Sequence, residues 1–366
     1  MKLKIERDRL LKPLGSVSGV VEKRQTLPIL GNVCIKQERN VLTLIGTDLE
    51  TEVLTRLEDV EGDDGECTVT ARKFYDICRM LPETSTISLV NEGDRTMITS
   101  GRSRFSLQSL PAADFPRLEA QNWEDSLQIK QNELRDLLER TAFSMAQQDV
   151  RYYLNGCLLE LGKSGIRVVA TDGHRLAKSE LTMPLEIAGP RQVIVPRKAV
   201  TELLRFLGEG DEVVKLEVNP NHIRISASPW IFVAKLIDGR FPDYEKVIPS
   251  SLETHLEVDR LQLSEILART AILTNEKFRG VRLVLKPGTM MVMANNPEQE
   301  EAVDEMAVEF DGQEVEIGFN VGYLMDALRA LESEKVDLGL QDANSSCTLN
   351  EPGNRSTLYL VMPMRI

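Results

Sequence analysis

Three short stretches carry residue types able to do chemistry. TDGHRL, from Thr171 to Leu176, sets an acid, a glycine, a histidine and an arginine side by side. An Asp–His pair of this kind suits general-base catalysis or a metal site. Gly162-Lys163-Ser164 has the residue types of a phosphate-binding loop, and EQEEAVDE, from Glu298 to Glu305, offers carboxylates to a cation. Each meets an objection. No serine or cysteine nucleophile motif accompanies His174. A phosphate-binding loop needs an earlier glycine at fixed spacing and a helix after it; here the apolar run IRVVAT follows, so a hairpin turn is expected. The acidic run reads as a solvated or protein-facing patch. The five cysteines, at 34, 67, 78, 157 and 347, show no Cys-x-x-Cys pair and read as reduced and buried. No metal and no cofactor are expected. A metal-dependent hydrolase using Asp172 and His174 stays as the rival reading, and it requires turnover or stoichiometric metal.

The elements that would position these residues follow from an internal repeat. A glycine leads into a strand at Gly31, Gly156 and Gly280, in LPILGNVCIKQ, YYLNGCLLEL and KFRGVRLVLK. Asp48, Asp172 and Asn296 close the next strand in TDLETE, TDGHRL and NNPEQE. Arg72, Arg197 and Asn320 mark a helix start, and Pro116 and Pro242 mark two boundaries. The order is constant and the spacing nearly so. The expectation is three domains of one fold, 1–120, 125–246 and 250–366, each long enough to fold alone. TDGHRL then shares its address with two stretches that lack the histidine and arginine, so the common part is turn chemistry.

Each repeat opens with leucines and isoleucines at helical spacing: RDRLLKPLGSVSG, NELRDLLERTAFSMA and DRLQLSEILARTAIL. Pro13 is expected to break or tighten the first of these. A second helix is expected over 72–81, 197–207 and 320–331. Short alternating runs, such as TISLV, SRFSLQSL, VVKLEV and WIFVAKLI, suit antiparallel sheets with one wet face. The fold class is α+β, two helices packed on antiparallel sheets in each domain.

Composition and charge narrow the function. Apolar residues make up 42% and charged residues 28%, which excludes a disordered chain. The N-terminal MKLKIERDRLLK has no long apolar run, so neither a secretory signal nor a membrane span is expected and the cytoplasm is the default. The net charge of −13 argues against a protein that simply coats nucleic acid. The charge is uneven: residues 248–366 hold 10 Lys and Arg against 20 Asp and Glu. VEKRQTLP, with Lys23 and Arg24, and FSMAQQDVRYYLNG, with Gln147, Gln148, Arg151, Tyr152 and Tyr153, are polar loops able to meet phosphates and sugars. LYLVMPMRI, methionine-rich, is either a last core strand with a tail or part of an adaptable peptide groove, with Arg365 beside it.

These stretches together resemble one family. LPILGN, VTARKF, SGRSRFSL, LPAADFP, FSMAQQDVRYYLNG, ATDGHRLA, VIVPRK, DGRFPDY, NEKFRGVRL, ANNPEQEEA, IGFNV and YLVMPMR are similar, in order and spacing, to the bacterial DNA polymerase III beta subunit, the replicative sliding clamp. The resemblance implies three repeated DNA-clamp domains forming a six-domain ring as a head-to-tail homodimer around duplex DNA. Such a clamp tethers replicative and repair polymerases and is not an enzyme. Its implied partners are the polymerase III alpha subunit, the delta subunit of an ATP-dependent clamp loader, other DNA polymerases, and mismatch-repair and initiation-control proteins. A nucleoid-associated place in the cytoplasm is implied as well. The rival within this reading is a peptide-binding hub that does not encircle DNA.

The resemblance also assigns residues. DNA-near side chains are implied at Arg24, Arg72, Gln148, Tyr152, Tyr153 and Lys198. A peptide pocket is implied at Leu154, Thr171, Gly173, His174, Arg175, Leu176, Pro242, Lys246, Val247, Asn320, Tyr323, Ser346, Met362, Pro363, Met364 and Arg365. The dimer seam is implied to join Lys73, Ile77, Arg102, Arg104, Phe105 and Leu107 to Ile272, Leu273, Glu298, Glu300, Glu301 and Asp304. The surplus of acid in the last third fits that seam. Lys246 stands where the family commonly has arginine, Asn344 replaces an apolar residue and Ile366 a leucine; all three bear on peptide preference.

Overall fold

The computed structural model describes residues 1–21, 27–118, 122–187, 189–249, 252 and 254–365. The chain forms two compact units, residues 1–134 with 201–236, and residues 135–200 with 237–366. The middle repeat therefore contributes to both.

Antiparallel pairing dominates because the strands are short, alternating and joined by tight turns. Gly162 pairs with Gly165 across Lys163 and Ser164, so the lysine and serine form the hairpin turn that the sequence predicts. In the first unit the described strands make one 13-stranded sheet. It is continuous because Trp230–Lys235, from the middle repeat, pairs along Thr51–Leu57 from the first. The second unit repeats this arrangement: Thr357–Val361, from the last repeat, pairs along Arg175–Thr182 from the middle one. In both joins one partner is the strand that follows the Thr-Asp turn.

The corresponding strands at the far ends have no such partner. Ser103–Leu110 pairs fully with Arg95–Ser100 but touches Gly65–Thr70 only through Ser109 and Leu110. Its edge from Ser103 to Gln108 has no further strand partner among the described residues. Glu301–Ala307, which follows the Asn296 turn, is one of the two outer strands of a four-stranded sheet, Val315–Asn320 being the other.

Six helices are described: α1 (Arg7–Val20), α2 (Ala71–Met80), α3 (Gln131–Ala142), α4 (Arg197–Leu203), α5 (Arg260–Thr270) and α6 (Val321–Ala330). In the first unit α1 packs on α2, burying Leu10, Leu14, Val17 and Val20; in the second α5 packs on α6. A Cβ at Gly46 would lie 2.6 Å from the Val17 carbonyl oxygen, so the strand passes beneath α1 only with glycine there. The second unit's main core joins these helices to Leu283, Val292, Phe319 and Tyr359.

Three expectations need correction. Pro13 does not break α1, which runs unbroken through it; the stripe Leu10, Leu14 and Val17 buries the helix face on both sides of the proline. The second helix of the middle repeat is regular only to Leu203. The chain then tightens, with Phe206 N–H donating to Leu203 O, and sets the Phe206 ring against Trp230 and Phe232 at 5.4 and 6.1 Å. α3 stops at Ala142, short of the predicted run, where Phe143 turns to meet Tyr359 at 5.5 Å. A short strand also precedes each first helix, at Lys2–Glu6, Asp125–Lys130 and Thr254–Asp259.

The segments between repeats are pinned by buried polar contacts. Arg117 donates twice to Glu52, Nε to Oε2 and Nη2 to Oε1, both at 2.9 Å, and Leu118 N–H donates to Oε2 at 3.0 Å. Phe115 packs with Cys34 and Ile45. Downstream, Phe241 and Tyr244 pack on Leu158, Val169 and Ile194, and the Tyr244 hydroxyl donates to Glu160 at 2.6 Å. Glu52 is buried while Arg117 reaches solvent. Glu52→Ala is therefore expected to cost about 2 kcal/mol by removing three charge-assisted hydrogen bonds while the arginine rehydrates. Denaturant unfolding at constant slope measures this, and an unchanged midpoint contradicts it.

Candidate functional site

The TDGHRL turn is built from its own side chains. Thr171 Oγ1 donates to Arg175 O at 2.6 Å and accepts from Gly173 N–H at 3.1 Å. Asp172 Oδ1 accepts from the N–H groups of His174 and Arg175 at 2.9 and 3.0 Å. Thr47 and Asp48 make the same four bonds, to Thr51 O and from Leu49, Glu50 and Thr51 N–H. The shared Thr-Asp is thus the turn-maker, and the acid faces backbone N–H groups and Arg175. Gly173 has φ +88°, a conformation that favours glycine, though Leu49 holds the equivalent position of the first turn at φ +77°; a Cβ at Gly173 would lie 2.9 Å from Arg151 Nη1, the movable end of a half-exposed side chain.

The strand that leaves this turn meets the methionine-rich run. Arg175 pairs with Val361 and Leu176 with Leu360, and Met362 N–H donates to His174 O at 2.9 Å. Leu176 is buried in a cluster that Met362 packs against. Beyond it, Met364 N–H donates to Gly318 O at 2.8 Å. LYLVMPMRI is therefore both a core strand, to Val361, and a half-buried tail, Met362 to Met364, ending on exposed Arg365.

Arg175 is the hub. Its Nε donates to Asp172 Oδ2 at 3.1 Å, Nη1 to Asp326 Oδ2 at 2.7 Å and Nη2 to Phe143 O at 2.7 Å. Its guanidinium lies 4.5 Å from the Tyr323 ring centroid and 5.5 Å from that of Phe143. Asn320 caps α6, accepting from Gly322 and Tyr323 N–H, and donates to Phe278 O at 3.2 Å. The structure so brings Thr171, Gly173, His174, Arg175, Leu176, Met362 and Tyr323 together. Leu154 is buried in the preceding 3-10 turn. Pro242 and Val247 are exposed beside buried Tyr244, and Lys246 pairs with Asp243 at 2.8 Å. Ser346 directly precedes Cys347, which pairs with Val361. Asp326 escaped the sequence reading, being far from Arg175 along the chain and carrying no motif; Phe143 opens FSMAQQDVRYYLNG, but nothing in that stretch links its carbonyl to Arg175.

Of the DNA-near candidates, Arg24 lies outside the described residues. Gln148 is exposed at φ +56°, Tyr152 is exposed, and half-buried Tyr153 meets it edge-on at 5.8 Å. Their loop is rigidified by Asp149, which accepts from Arg151 N–H, Nε and Nη2 at 2.8, 3.0 and 2.9 Å, and by Asn155. The Arg151 guanidinium and N–H pull the Asp149 carboxyl down to about 2. Arg151 Nη2 also donates to Asp172 O at 3.1 Å, which ties this loop to the TDGHRL turn. Lys198 sits on α4 beside Arg197, whose Nη1 donates to Met145 O at 2.8 Å. Arg72 is exposed on α2, 3.7 Å from Asp76.

Of the seam candidates, Arg104, Phe105 and Leu107 lie in Ser103–Leu110, and Glu301 and Asp304 in Glu301–Ala307. Arg102 and Arg104 are exposed, with half-buried Phe105 and Leu107 between basic and polar neighbours; Lys73 and Ile77 lie on α2. At the other edge Ile272 is 77% exposed and Leu273 partly so. Glu298, Glu300 and Glu301 are exposed, with Glu300 accepting from Asn296. Asp304 is committed within the chain: Arg269 Nε donates to it at 2.6 Å and lowers its carboxyl below the usual range.

Family models for the DNA polymerase III beta subunit match the chain in three pieces: the N-terminal domain at residues 1–119, the central domain at 128–243 and the C-terminal domain at 245–365. The beta sliding clamp of Pseudomonas putida is 48% identical and that of Salmonella typhimurium 50% identical, each alignment covering the whole of both chains. The crystal structure of the DNA polymerase III subunit beta from Pseudomonas aeruginosa superposes with a TM-score of 0.98 at 48% identity, again over both whole chains. With three clamp domains of helices on antiparallel sheets, the chain belongs to the DNA polymerase III beta subunit family, the beta sliding clamps.

Proposed function

We propose that two copies of this chain close head to tail into a ring around duplex DNA and tether polymerases to it. One observation carries the reading. The strand after the Thr-Asp turn takes a partner strand from the next repeat twice within the chain, and its third counterpart, Glu301–Ala307, is left with an open edge. Ser103–Leu110, the counterpart of the strands that fill that place, is open too. An exposed strand edge is a template for pairing. The third join is therefore made between copies, Ser103–Leu110 of one chain along Glu301–Ala307 of the other. Two such joins close a ring of six domains, 1–120, 125–246 and 250–366 from each chain.

Charge supports this pairing. Arg102 and Arg104 face Glu298, Glu300 and Glu301, which favours this partner in this polarity, while Ile77, Phe105 and Leu107 against Ile272 and Leu273 supply apolar area. Asp304, held by Arg269, adds its charge to the same acidic edge.

A closed ring holds DNA by topology and needs no tight contact. Diffuse phosphate contacts from Arg24, Arg72, Gln148, Tyr152, Tyr153 and Lys198 carry no sequence information and let the ring slide. The ring performs no bond-making step; it raises the effective concentration of a tethered polymerase at the primer end. The groove around Leu176, Met362 and Tyr323 takes a short peptide from each partner: the polymerase III alpha subunit, the delta subunit of the ATP-dependent loader, other polymerases, and mismatch-repair and initiation-control proteins. No described helix is long and apolar enough to cross a membrane; the proposed place of action is the nucleoid, in the cytoplasm.

Three measurements test the reading. With loader and ATP supplied, the protein is expected to stay on circular duplex through gel filtration and to leave once the circle is cut; equal retention on both overturns encirclement. Leu273→Asp places a charge in the apolar seam, and sedimentation is expected to show monomers at concentrations where the parent is a dimer; an intact dimer contradicts the seam. Gln148→Ala and Tyr152→Ala are expected to reduce loading severalfold with thermal melting unchanged, because both side chains are exposed; parental loading by both removes them from the DNA path.

A further inference from the structure

One cross-strand pair recurs at the same register in each repeat: Cys34 with Ile45, Leu158 with Val169 and Arg282 with Met293. The first two pairs are covered by rings from the segment that follows the repeat's last strand. Phe115 packs on Cys34 and Ile45, with Leu54 and Ala112 against them. Phe241 and Tyr244 pack with Leu158 and Val169. Both covers carry the same dipeptide, Phe115-Pro116 and Phe241-Pro242. The proline holds the residue before it extended, so the ring is presented at little entropic cost. The third pair has no such cover. It lies in a hollow of about 50 Å³, walled by Arg282, Met293 and Val303, and no aromatic residue lines it. Met290 and Val292 are buried in the core with the helices, so Met293 faces the other way. Val303, directly across from Met293, is 53% exposed. The tail stops short of the hollow: Met364 is held at Gly318 O, and Gly318 pairs with Arg282, which puts the tail two strands from Met293.

We propose that this hollow is a docking point for a partner protein, which fills it with an extended segment carrying an aromatic residue followed by proline. That is the chemistry with which the chain covers the same pair in its first two repeats. Arg282 tunes the site toward a ring. It stands where Cys34 and Leu158 stand in the other repeats, and its partly exposed guanidinium, donating to Glu316 at 3.1 Å, is at the rim where an aromatic face is favoured over an aliphatic side chain. A second copy of the chain does not supply the ring, because its own Phe115 and Phe241 are buried. Glu301, at the edge of the hollow, is assigned to the seam and is not needed for the contact.

The test is methionine-methyl NMR of the full-length protein, with Met293 assigned from Met293→Leu. The probe is an end-blocked peptide of the chain's own cover, Ala112 to Leu118. The Met293 methyl signal is expected to move saturably, with half-saturation on the order of millimolar because the hollow takes only part of one ring. The same peptide with Phe115→Ala is expected to leave it in place. Val303→Asp is expected to raise half-saturation about fivefold or more, as an apolar wall is lost. Val303→Ser, which removes that wall without adding charge, repeats the measurement if melting shows the aspartate variant to be unfolded. A Met293 signal that stays still, that moves equally with both peptides, or that responds in the Val303 variant as in the parent overturns the inference. Movement confined to Met362 and Met364 places the peptide in the proposed groove and overturns it too. Movement of Met293 with protein concentration alone assigns the hollow to a contact between copies, which is the third way the inference fails.

Discussion

An unpaired strand edge cannot be left open at no cost. Each of its backbone N–H and C=O groups needs water or another strand, and a row of them invites indiscriminate association. This chain meets that constraint twice internally, where Thr51–Leu57 takes Trp230–Lys235 and Arg175–Thr182 takes Thr357–Val361. A chain of three repeats joined this way must end with one edge of each kind unfilled. The remaining edges differ in charge, one carrying Arg102 and Arg104, the other Glu298 to Glu301. Opposite charge turns a general hazard into a selective contact, since either edge meeting its own kind brings like charges together.

The same geometry accounts for the place of the proposed peptide groove. The turn that starts each joining strand is fixed by threonine and aspartate, so its position is independent of what fills the rest of the turn. At the second join the chain has used that freedom to insert Gly173, His174 and Arg175. The joining strand Thr357–Val361 then delivers Met362 to His174 directly. A groove built on a join inherits a rigid floor from paired strands, and a pliable wall from methionines just beyond the last paired residue. At the first join the equivalent positions hold Leu49, Glu50 and Thr51, and no arginine hub forms.

Much of this was legible in the chain. The repeat showed because its landmarks are residues whose work is local: a glycine entering a strand, an acid or amide in its own turn, a polar residue at a helix start. Helix type and strand alternation followed for the same reason. The strands before each first helix, KLKIE and its counterparts, were missed because each runs straight into its helix with no turn residue to mark the boundary. Pro13 misled because local backbone preference was outweighed by a buried face of Leu10, Leu14 and Val17. The joins themselves were illegible: Trp230 against Thr55 is a pairing across most of two repeats, and no residue type announces it.

Arg175 marks the sharper limit of reading function from motifs. In the sequence it stands beside an acid and a histidine and suggests chemistry or anion binding. In space its charge is shared between Asp172, three residues away, and Asp326, reached only because the last repeat's strand is laid alongside the middle one. A side chain's identity gives what it is able to do, but the number of its donors already taken decides what it does. A largely buried arginine that donates from each of its three nitrogens and lies against two rings acts as a scaffold, fixing Tyr323 and the turn beside the proposed groove. The repeat supplies that scaffold with its location, and the join supplies its partners, so the arginine hub is a consequence of how the repeats are stitched together.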